Sequence, residues 1–576
     1  MCGIFFTLCR NIGEDTAVEE FIRNIAPALE QANAARGPDA QRTCTTQLER
    51  LRLSFYASEL RLRGSHPVVQ PHEGDGNILC WNGEIFNGMH LSATENDGVE
   101  LFTALRSLST PREVVELLGS LEGPYAFVYY QHSTRSIIYG RDPLGRRSLL
   151  IHRPTKAQPY LILASASAST NANCEFEELT TKGLFSLDLR KLEGKEDEDL
   201  TEDFGRMHEV LDRSPVEDLR YATLPPVARD MPVENLQKIS SLDTELPTYL
   251  ADAADGLLKH LDDSVRRRVY DIPAIADGNA RLGVLFSGGI DCTVLALLAD
   301  RHVPPEESID LLNVAFENPR KLAADGNTVP KGKQERKVTT VSTQPTQKPA
   351  YMVPDRLTGL QELEELRQLC PQRVWNFVEV NVPFEQAQTA RATIEAIMHP
   401  CRTVMDLSLA QALYFAARGV GQVHTHGDGS SQAYTSSAKV LLNGLGSDEL
   451  LGGYGRHRTA YNAGGWEALI NELQLELDRL PTRNLGRDDR IIAAHGKEAR
   501  HPFLGLDVVR FVAALPVYIK TDPRLGQGLG DKLLLRILAH NLGLIQASSR
   551  VKRAMQFGSH SARMQANSAK KGNFLL

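Results

Sequence analysis

The 576-residue sequence has no CxxC pair, no HExxH, no GxxxxGK loop and no internal repeat, and each absence removes a class of function. Its eight cysteines, at positions 2, 9, 44, 80, 174, 292, 370 and 401, are scattered, which argues against a zinc site or a disulfide scaffold and for a reducing compartment. Each is by default a small buried hydrophobe. Without HExxH or paired histidine ligands, a mononuclear metal hydrolase is disfavoured. Basic residues are also in short supply, 64 Lys and Arg against 72 Asp and Glu, and no long basic face is present, so a nucleic-acid partner is not expected. No apolar run approaches the length of a membrane span. The opening MCGIFFTLC lacks a basic lead and runs into the polar RNIGEDT, unlike a secretory signal. A cytoplasmic protein without a membrane partner is the simplest expectation.

What is present is an ordinary globular composition, 42% hydrophobic and 24% charged, on a chain long enough for two or more cores. Short strand-like runs dominate early: IFFTL, NILCWNGEIF, YAFVYYQH, SIIYGRD, SLLIHR and YLILASAS, bounded by Gly, Pro, Asn or Asp. Among them VEEFIRNIAPALEQA puts Val18, Phe21, Ile22, Ile25 and Leu29 on one helical stripe. A sheet-rich α+β domain over 2–190 is therefore expected, followed by an acidic, solvated linker over 191–245. A second domain, 246–560, opens with the amphipathic LPTYLADAADGLLKHLDDSVRRRVY and continues as strand RLGVLF, turn SGGID and helix CTVLALLADRH, the start of a parallel α/β sheet. Residues 318–354, rich in Lys, Thr, Gln and Pro, read as a disordered insertion, THGDGSSQAYTSS as a polar loop and 561–576 as a tail.

Two constellations carry chemistry. Cys2 follows a removable Met, and processing would leave a thiol whose own α-amine, with a reference pKa of about 7.7 to 8.0, can serve as its base. The turn RGPD presents the forked donor of Arg36 to a carboxylate. In WNGEIFN, Asn82 and the backbone of Gly83 can donate to a developing oxyanion, and Asp97 can accept from an ammonium. Further on, SGGID joins a strand to a helix N-terminus, where backbone N–H groups favour phosphate. Asp291 in that turn makes better sense as a magnesium ligand than as a neighbour of bare phosphate, and Asp448 in NGLGSDELLGGY is the best candidate for a second carboxylate, with Glu449 beside it.

The first set of residues, in this order, resembles the class II glutamine amidotransferases, and GVLFSGGIDCT, NGLGSDELLGGY and GKEARHPFLGLDVV resemble the asparagine synthetase family of ATP pyrophosphatases. Stretches such as VPDRLTGLQELEEL, RVWNFVEVNVPFEQA and IMHPCRTVMDLSLAQALYFAARG look like a eukaryotic branch of that family almost throughout. The resemblance implies an N-terminal Ntn-hydrolase αββα sandwich followed by an α/β domain with the parallel sheet of the adenine nucleotide α-hydrolases. It implies Cys2 as nucleophile, Asn82 and Gly83 as oxyanion hole, and Arg36, Asn82, Glu84 and Asp97 as glutamine-binding residues. It also implies Leu285, Ser287, Gly288, Gly289, Asp291, Cys292, Gly444 and Lys552 at the nucleotide and Asp291 and Asp448 on Mg2+. ATP would adenylate a carboxylate, aspartate first among candidates, and ammonia would displace AMP, giving asparagine biosynthesis; a homodimer is the oligomer considered.

The pattern departs from the family in three places. Leu445 replaces a glutamate that helps the ammonia step, and leucine cannot accept a proton. Cys292 replaces a phosphate-loop serine with a weaker donor. The acceptor segment has become HPCRTVMDLSL, with Arg402 and Thr403 but an altered spacing, and MDLSLAQALYFAARG can equally be a packed helix. Three functions stay open: a synthetase making asparagine or a related amide, amidation of a different acid, and a degenerate synthetase half that leaves a glutaminase or nucleotide-binding scaffold.

Overall fold

Alternation of large apolar residues with a period of two builds the first half of the molecule. In the strand β1 (Cys2–Arg10) every residue is buried, because both of its faces are covered. Ile4, Phe6 and Leu8 point to one side and Phe5 and Cys9 to the other. The computed structural model describes residues 2–10, 18, 20–48, 51–168, 174–191, 200–213, 219–275, 279–317, 350–424 and 430–564. The strands that follow are β2 (Ala40–Leu48), β3 (Leu51–Glu59), β4 (His72–Gly74), β5 (Asn77–Gly83), β6 (Tyr125–Gln131), β7 (Ser136–Arg141), β8 (Leu150–His152), β9 (Tyr160–Ala164), β10 (Glu177–Glu178), β11 (Gly183–Asp188) and β12 (His208–Asp212). They form two antiparallel six-stranded sheets, ordered β10-β8-β9-β1-β3-β2 and β12-β11-β7-β6-β5-β4.

The sheets pack face to face over Ile4, Phe6, Leu53, Phe55, Val128 and Tyr139. The outer face of the first carries Phe21 and Leu29, with Val18 and Ile25 partly buried beside them; the side chain of Ile22 lies outside what is described. Helices Asp97–Arg106 and Pro111–Gly119 cover the second. This is the αββα sandwich expected from the sequence. It continues past residue 190, into the stretch read as a solvated linker. Helix Leu200–Met207 and β12 complete the second sheet, with Leu200, Phe204 and Met207 at helical spacing in the inter-sheet core. The acidic residues between them hid that stripe.

The second half begins with helix Thr248–Val269. Its sheet contains β13 (Leu282–Leu285), β14 (Ile309–Phe316), β15 (Trp375–Val382), β16 (Val420–His424), β17 (Ser431–Thr435), β18 (Val440–Leu442) and β19 (Glu498–Arg500), in the order β17-β16-β15-β14-β13-β18-β19. The five adjacent strands β15-β14-β13-β18-β19 are parallel, as expected. The stretch expected as a polar loop, 425–437, instead contains β17, which pairs antiparallel with β16 on one edge of the sheet; residues 425–429 lie outside the described residues. Chain order runs outward in opposite directions from β13 and β18, so the topology switches between these two strands, the place where open α/β sheets bind ligands beyond their carboxyl ends. Of the insertion read over 318–354, residues 318–349 lie outside the described residues, as do 565–576 of the tail; Ser561 and Met564 are buried.

A buried ionic seam joins the halves. The Oε1 atom of Glu122 accepts from Arg146 (3.0 Å), from Arg268 (3.3 Å) and from the backbone N–H of Leu506 (3.1 Å). Asp489 accepts from Arg36 (2.7 Å) and Arg147 (3.4 Å), and Glu498 pairs with Arg147 (2.7 Å) and Arg500 (2.6 Å). Removing one partner of such a set leaves the others charged and dry. Glu122→Ala is expected to cost roughly 3–5 kcal/mol, read as a lowered denaturation midpoint; a loss under about 1 kcal/mol would match a solvent-exposed pair instead.

Candidate active sites

The first site lies at one end of the inter-sheet space. Cys2 opens β1, and its Sγ accepts from Nε2 of Gln70 at 3.3 Å. The orientation of that amide is set by its other end, because Oε1 of Gln70 accepts the backbone N–H of Trp81 at 2.8 Å. The main-chain nitrogen of Cys2 donates to Oδ1 of Asn82 at 3.1 Å. Asn82 is fully buried, and its Nδ2 has no partner among the described residues. A buried amide donor left open beside a thiol is what an oxyanion needs. A Cβ on Gly83 would stand 2.5 Å from the indole of Trp81, so this position requires glycine. Burial pushes the Cys2 thiol up to about 11, so it rests protonated and must give its proton to a base when it attacks.

Carboxylates flank the thiol. Asp97 starts helix Asp97–Arg106 and accepts from the indole N–H of Trp81 (3.3 Å) and the backbone of Ile85 (3.1 Å). Burial raises its carboxyl, and that of Glu84 to about 7. Glu84 lies between Arg63 (3.3 Å) and Arg500 of the other half (3.5 Å). Arg36 donates from Nε to the carbonyl of Cys2 at 3.4 Å but turns Nη2 to Asp489 across the seam. Gln70, Arg63 and the buried Glu59 were not found from sequence. None belongs to a recognisable motif: strand register sets Glu59 opposite Cys2, while the connection from β3 to β4 brings Gln70 to the thiol and Arg63 to Glu84.

The second site lies where the sheet switches direction. β13 ends in Leu285, half-buried, and the chain turns through Ser287, Gly288 and Gly289 into helix Ile290–Asp300. Gly288 has φ +73°, and a Cβ there would be 2.3 Å from the backbone nitrogen of Gly359. The turn after β18 comes alongside: a Cβ on Gly444 would be 2.8 Å from that of Asp291. Cys292 donates its thiol to the carbonyl of Gly289 at 3.1 Å, and burial pushes it up to about 11. That donor is turned inward to the loop.

Asp291 and Asp448 converge on one point, and the ammonium of Lys532 stands there. Its Nζ is 2.7 Å from both oxygens of Asp291, 2.7 Å from Oδ1 of Asp448 and 3.0 Å from Oγ of Ser447. Lys552 approaches Oδ2 of Asp448 at 2.5 Å and the ring of Tyr454 at 4.0 Å. Burial alone would raise the Asp448 carboxyl, but the two ammonium groups hold it well below the usual carboxylate range. Lys532, in the lone stretch GDKLLLR, was also missed from sequence. The two carboxylates fit Mg2+, since they already gather a cation at one point, and an ion of that kind takes one or two carboxylates and completes its shell with phosphate oxygens and water. Among the described residues no group of three or more His, Cys, Asp or Glu could hold a metal unaided.

Glu449 turns away from this pair, accepting from the hydroxyl of Tyr454 at 2.5 Å. Leu445 is half-buried against the large apolar cluster of the second half, and its N–H donates to Oδ1 of Asn443 at 3.1 Å. A cavity of about 220 Å3 opens beside Gly453, Tyr454, His457, Asp531 and Lys552. The segment with Arg402 and Thr403 is not gathered there. Thr403 caps helix Val404–Arg418 with Asp406, which pairs with Arg487 at 2.5 Å, and the helix packs as an apolar core element. No helix among the described residues is long and apolar enough to cross a membrane.

Comparison with known proteins follows this division. A glutamine amidotransferase domain model matches residues 1–193 and an asparagine synthase model matches residues 461–570. The chain is similar to asparagine synthetase domain-containing protein 1 of Gallus gallus, 36% identical over 99% of this chain and 98% of that protein. The Homo sapiens protein of the same name is 34% identical over 98% and 96%. A putative glutamine-hydrolysing asparagine synthetase of Methanocaldococcus jannaschii is 26% identical over 81% and 70%.

The position of Lys532 has a direct consequence. Lys532→Met leaves two carboxylates facing each other, and we expect a stability loss of about 3 kcal/mol without divalent cations, at least half of it restored by millimolar Mg2+. Thermal unfolding with and without Mg2+ checks this; equal curves in the variant would show that the carboxylates do not share a cation.

Proposed function

The chain belongs to the family of asparagine synthetase domain-containing proteins, and we propose that it is a glutamine-hydrolysing amidotransferase that forms an amide on a carboxylate activated by ATP. The observation that carries the first half is Asn82, which accepts from the nitrogen of Cys2 with one end of its amide and keeps the other end, buried, as an open donor. With Met1 removed, the α-amine takes the thiol proton, Sγ adds to the side-chain carbonyl of glutamine, and Nδ2 of Asn82 with the backbone of Gly83 receives the oxyanion. Collapse expels ammonia, protonated by the same amine, and water then releases glutamate. Arg36 in this reading holds the glutamine carboxylate with one edge of its guanidinium while Asp489 holds the other, and Glu84 and Asp97 take the amino group.

For the second half, the support is the placement of both motifs after the two strands that flank the switch point. The turn Ser287–Gly289 offers backbone N–H groups to the phosphates, Gly444 and Leu285 border the nucleotide, and Lys552 neutralises the phosphate released. Asp291 and Asp448 would hold Mg2+, which screens the phosphates when bound. Attack of a carboxylate oxygen on the α-phosphorus of ATP breaks the α–β bridge, giving an acyl-adenylate and pyrophosphate. Ammonia then adds to the acyl carbon and AMP leaves. Aspartate is the first acid to test.

Leu445 favours a second reading, in which the synthetase half binds nucleotide without completing the amide, since this turn brings no proton acceptor at that position. Pyrophosphate release with ATP, Mg2+ and aspartate separates the two. In the proposed function release occurs with ammonia or glutamine; in the second reading it is absent with every acid tried. Cys2→Ala is expected to abolish glutamine hydrolysis, at least about 1,000-fold, while release supported by ammonia persists. Unchanged ammonia production from glutamine in that variant would remove Cys2 from the mechanism. Gain of amide formation in Leu445→Glu would identify that side chain as limiting.

A further inference from the structure

β1 and β3 are antiparallel with Cys2 directly opposite Glu59. Opposed residues send their side chains to one face of a sheet. Here that face is the inter-sheet one, lined along β1 by Ile4, Phe6 and Leu8 and along β3 by Leu51, Leu53, Phe55 and Ala57. The pattern turns polar at its last positions, Cys2 and Glu59, with Asn82 on β5. Glu59 is 3% exposed, and its Oε2 has no hydrogen-bond partner among the described residues. A buried carboxylate oxygen without a donor is costly, and native structures rarely keep one.

The donor count at Cys2 has the opposite imbalance. Removal of Met1 turns its nitrogen into an amine that carries three N–H bonds when protonated, in a place where Cys2 is 6% exposed. Oδ1 of Asn82 accepts one of them. Opposed Cβ atoms are about 4.5–5.5 Å apart, within the reach of a glutamate side chain. We propose that Glu59 is a positioning residue of the N-terminal amine, accepting a second N–H from it and so aiming the remaining position at the reacting groups, as a lone pair that takes the thiol proton and then as the N–H that protonates the leaving ammonia. The inference rests on Cys2 being the processed N-terminal nucleophile.

Glu59 does not act alone electrically. Burial lifts its carboxyl to about 7, Arg61 opposes that, and Asp39 and Asp97 reinforce it. A carboxylate beside an amine favours the ammonium, so the amine loses its proton at higher pH than it would unpaired. Hydrolysis needs the neutral amine. Activity therefore rises through that titration, and removing the carboxylate moves the rise to lower pH.

The test uses full-length protein whose loss of Met1 is verified by intact mass, labelled with 15N-cysteine so that the α-amine nitrogen resonates apart from the amides. In Glu59→Gln the titration midpoint of that resonance is expected to fall by about one pH unit, with the acid limb of kcat/KM for glutamine moving in step; Glu59→Asp restores part of the shift. A purely structural role would lower the unfolding temperature and leave both midpoints in place. Coincident midpoints in wild type and Glu59→Gln, or retention of Met1, overturn the proposal. If Glu59→Gln does not fold, Glu59→Asp decides, since its shorter reach must move the midpoint downward. A wild-type protein that hydrolyses no glutamine would instead overturn the functional reading, while the amine titration still judges Glu59.

Discussion

The buried charges along the seam are the constraint on which the rest depends. Glu122, Glu178, Asp489 and Glu498 are each shared by two arginines, in nearly every case with one from each half. Charges of this kind tolerate no slippage, because a shift of an ångström or two would strand a dry ion. Apolar contacts alone would hold the halves together without fixing their angle. The ionic set fixes it, and with it the separation of Cys2 from the turn that carries Asp448.

The seam also grips the strands that matter. Lys439, just before β18, pairs with Asp39 of the RGPD turn at 3.0 Å. At the other end, the carbonyl of Arg500 accepts the N–H of Asn443 at 2.9 Å, while the Arg500 side chain reaches Glu84 next to the Asn82–Gly83 pair. One residue therefore touches the strand that frames the first site and the turn that frames the second. The glycines of NGLGSDELLGGY answer to backbone approach: Gly444 meets Asp291, and a Cβ on Gly453 would stand 2.0 Å from Oδ1 of Asp448. Leu445, half-buried, packs against the apolar cluster.

Much of this was legible in the sequence, for identifiable reasons. Short apolar runs bounded by Gly, Pro, Asn or Asp exposed β1, β5, β6, β7, β8 and β9, which are buried on both faces, and strand-turn-helix punctuation exposed the nucleotide turn. β2 escaped because AQRTCTTQL is an edge strand with a solvated face and carries no apolar alternation. Helix Leu200–Met207 escaped because its three core residues are embedded in an acidic run. Cys2, Asn82, Asp291 and Asp448 could be found because each belongs to a short local pattern. Gln70, Glu59 and Lys532 could not, since they reach their sites through register and tertiary packing that no local pattern records. Arg36, named for the glutamine carboxylate, lies against the carbonyl of Cys2, and its ion pair with Asp489, 453 positions away, is a product of the assembled seam.

We propose that the two sites work as one unit, with ammonia made at Cys2 used at the switch point before it mixes with solvent, a reading supported by the contact of Arg500 with both. Supplying glutamine labelled with 15N in its amide, together with ATP, Mg2+, aspartate and an excess of unlabelled ammonium, tests it directly. The account predicts an amide product that keeps the 15N of glutamine. A product whose label is diluted to that of the bulk ammonium would contradict it.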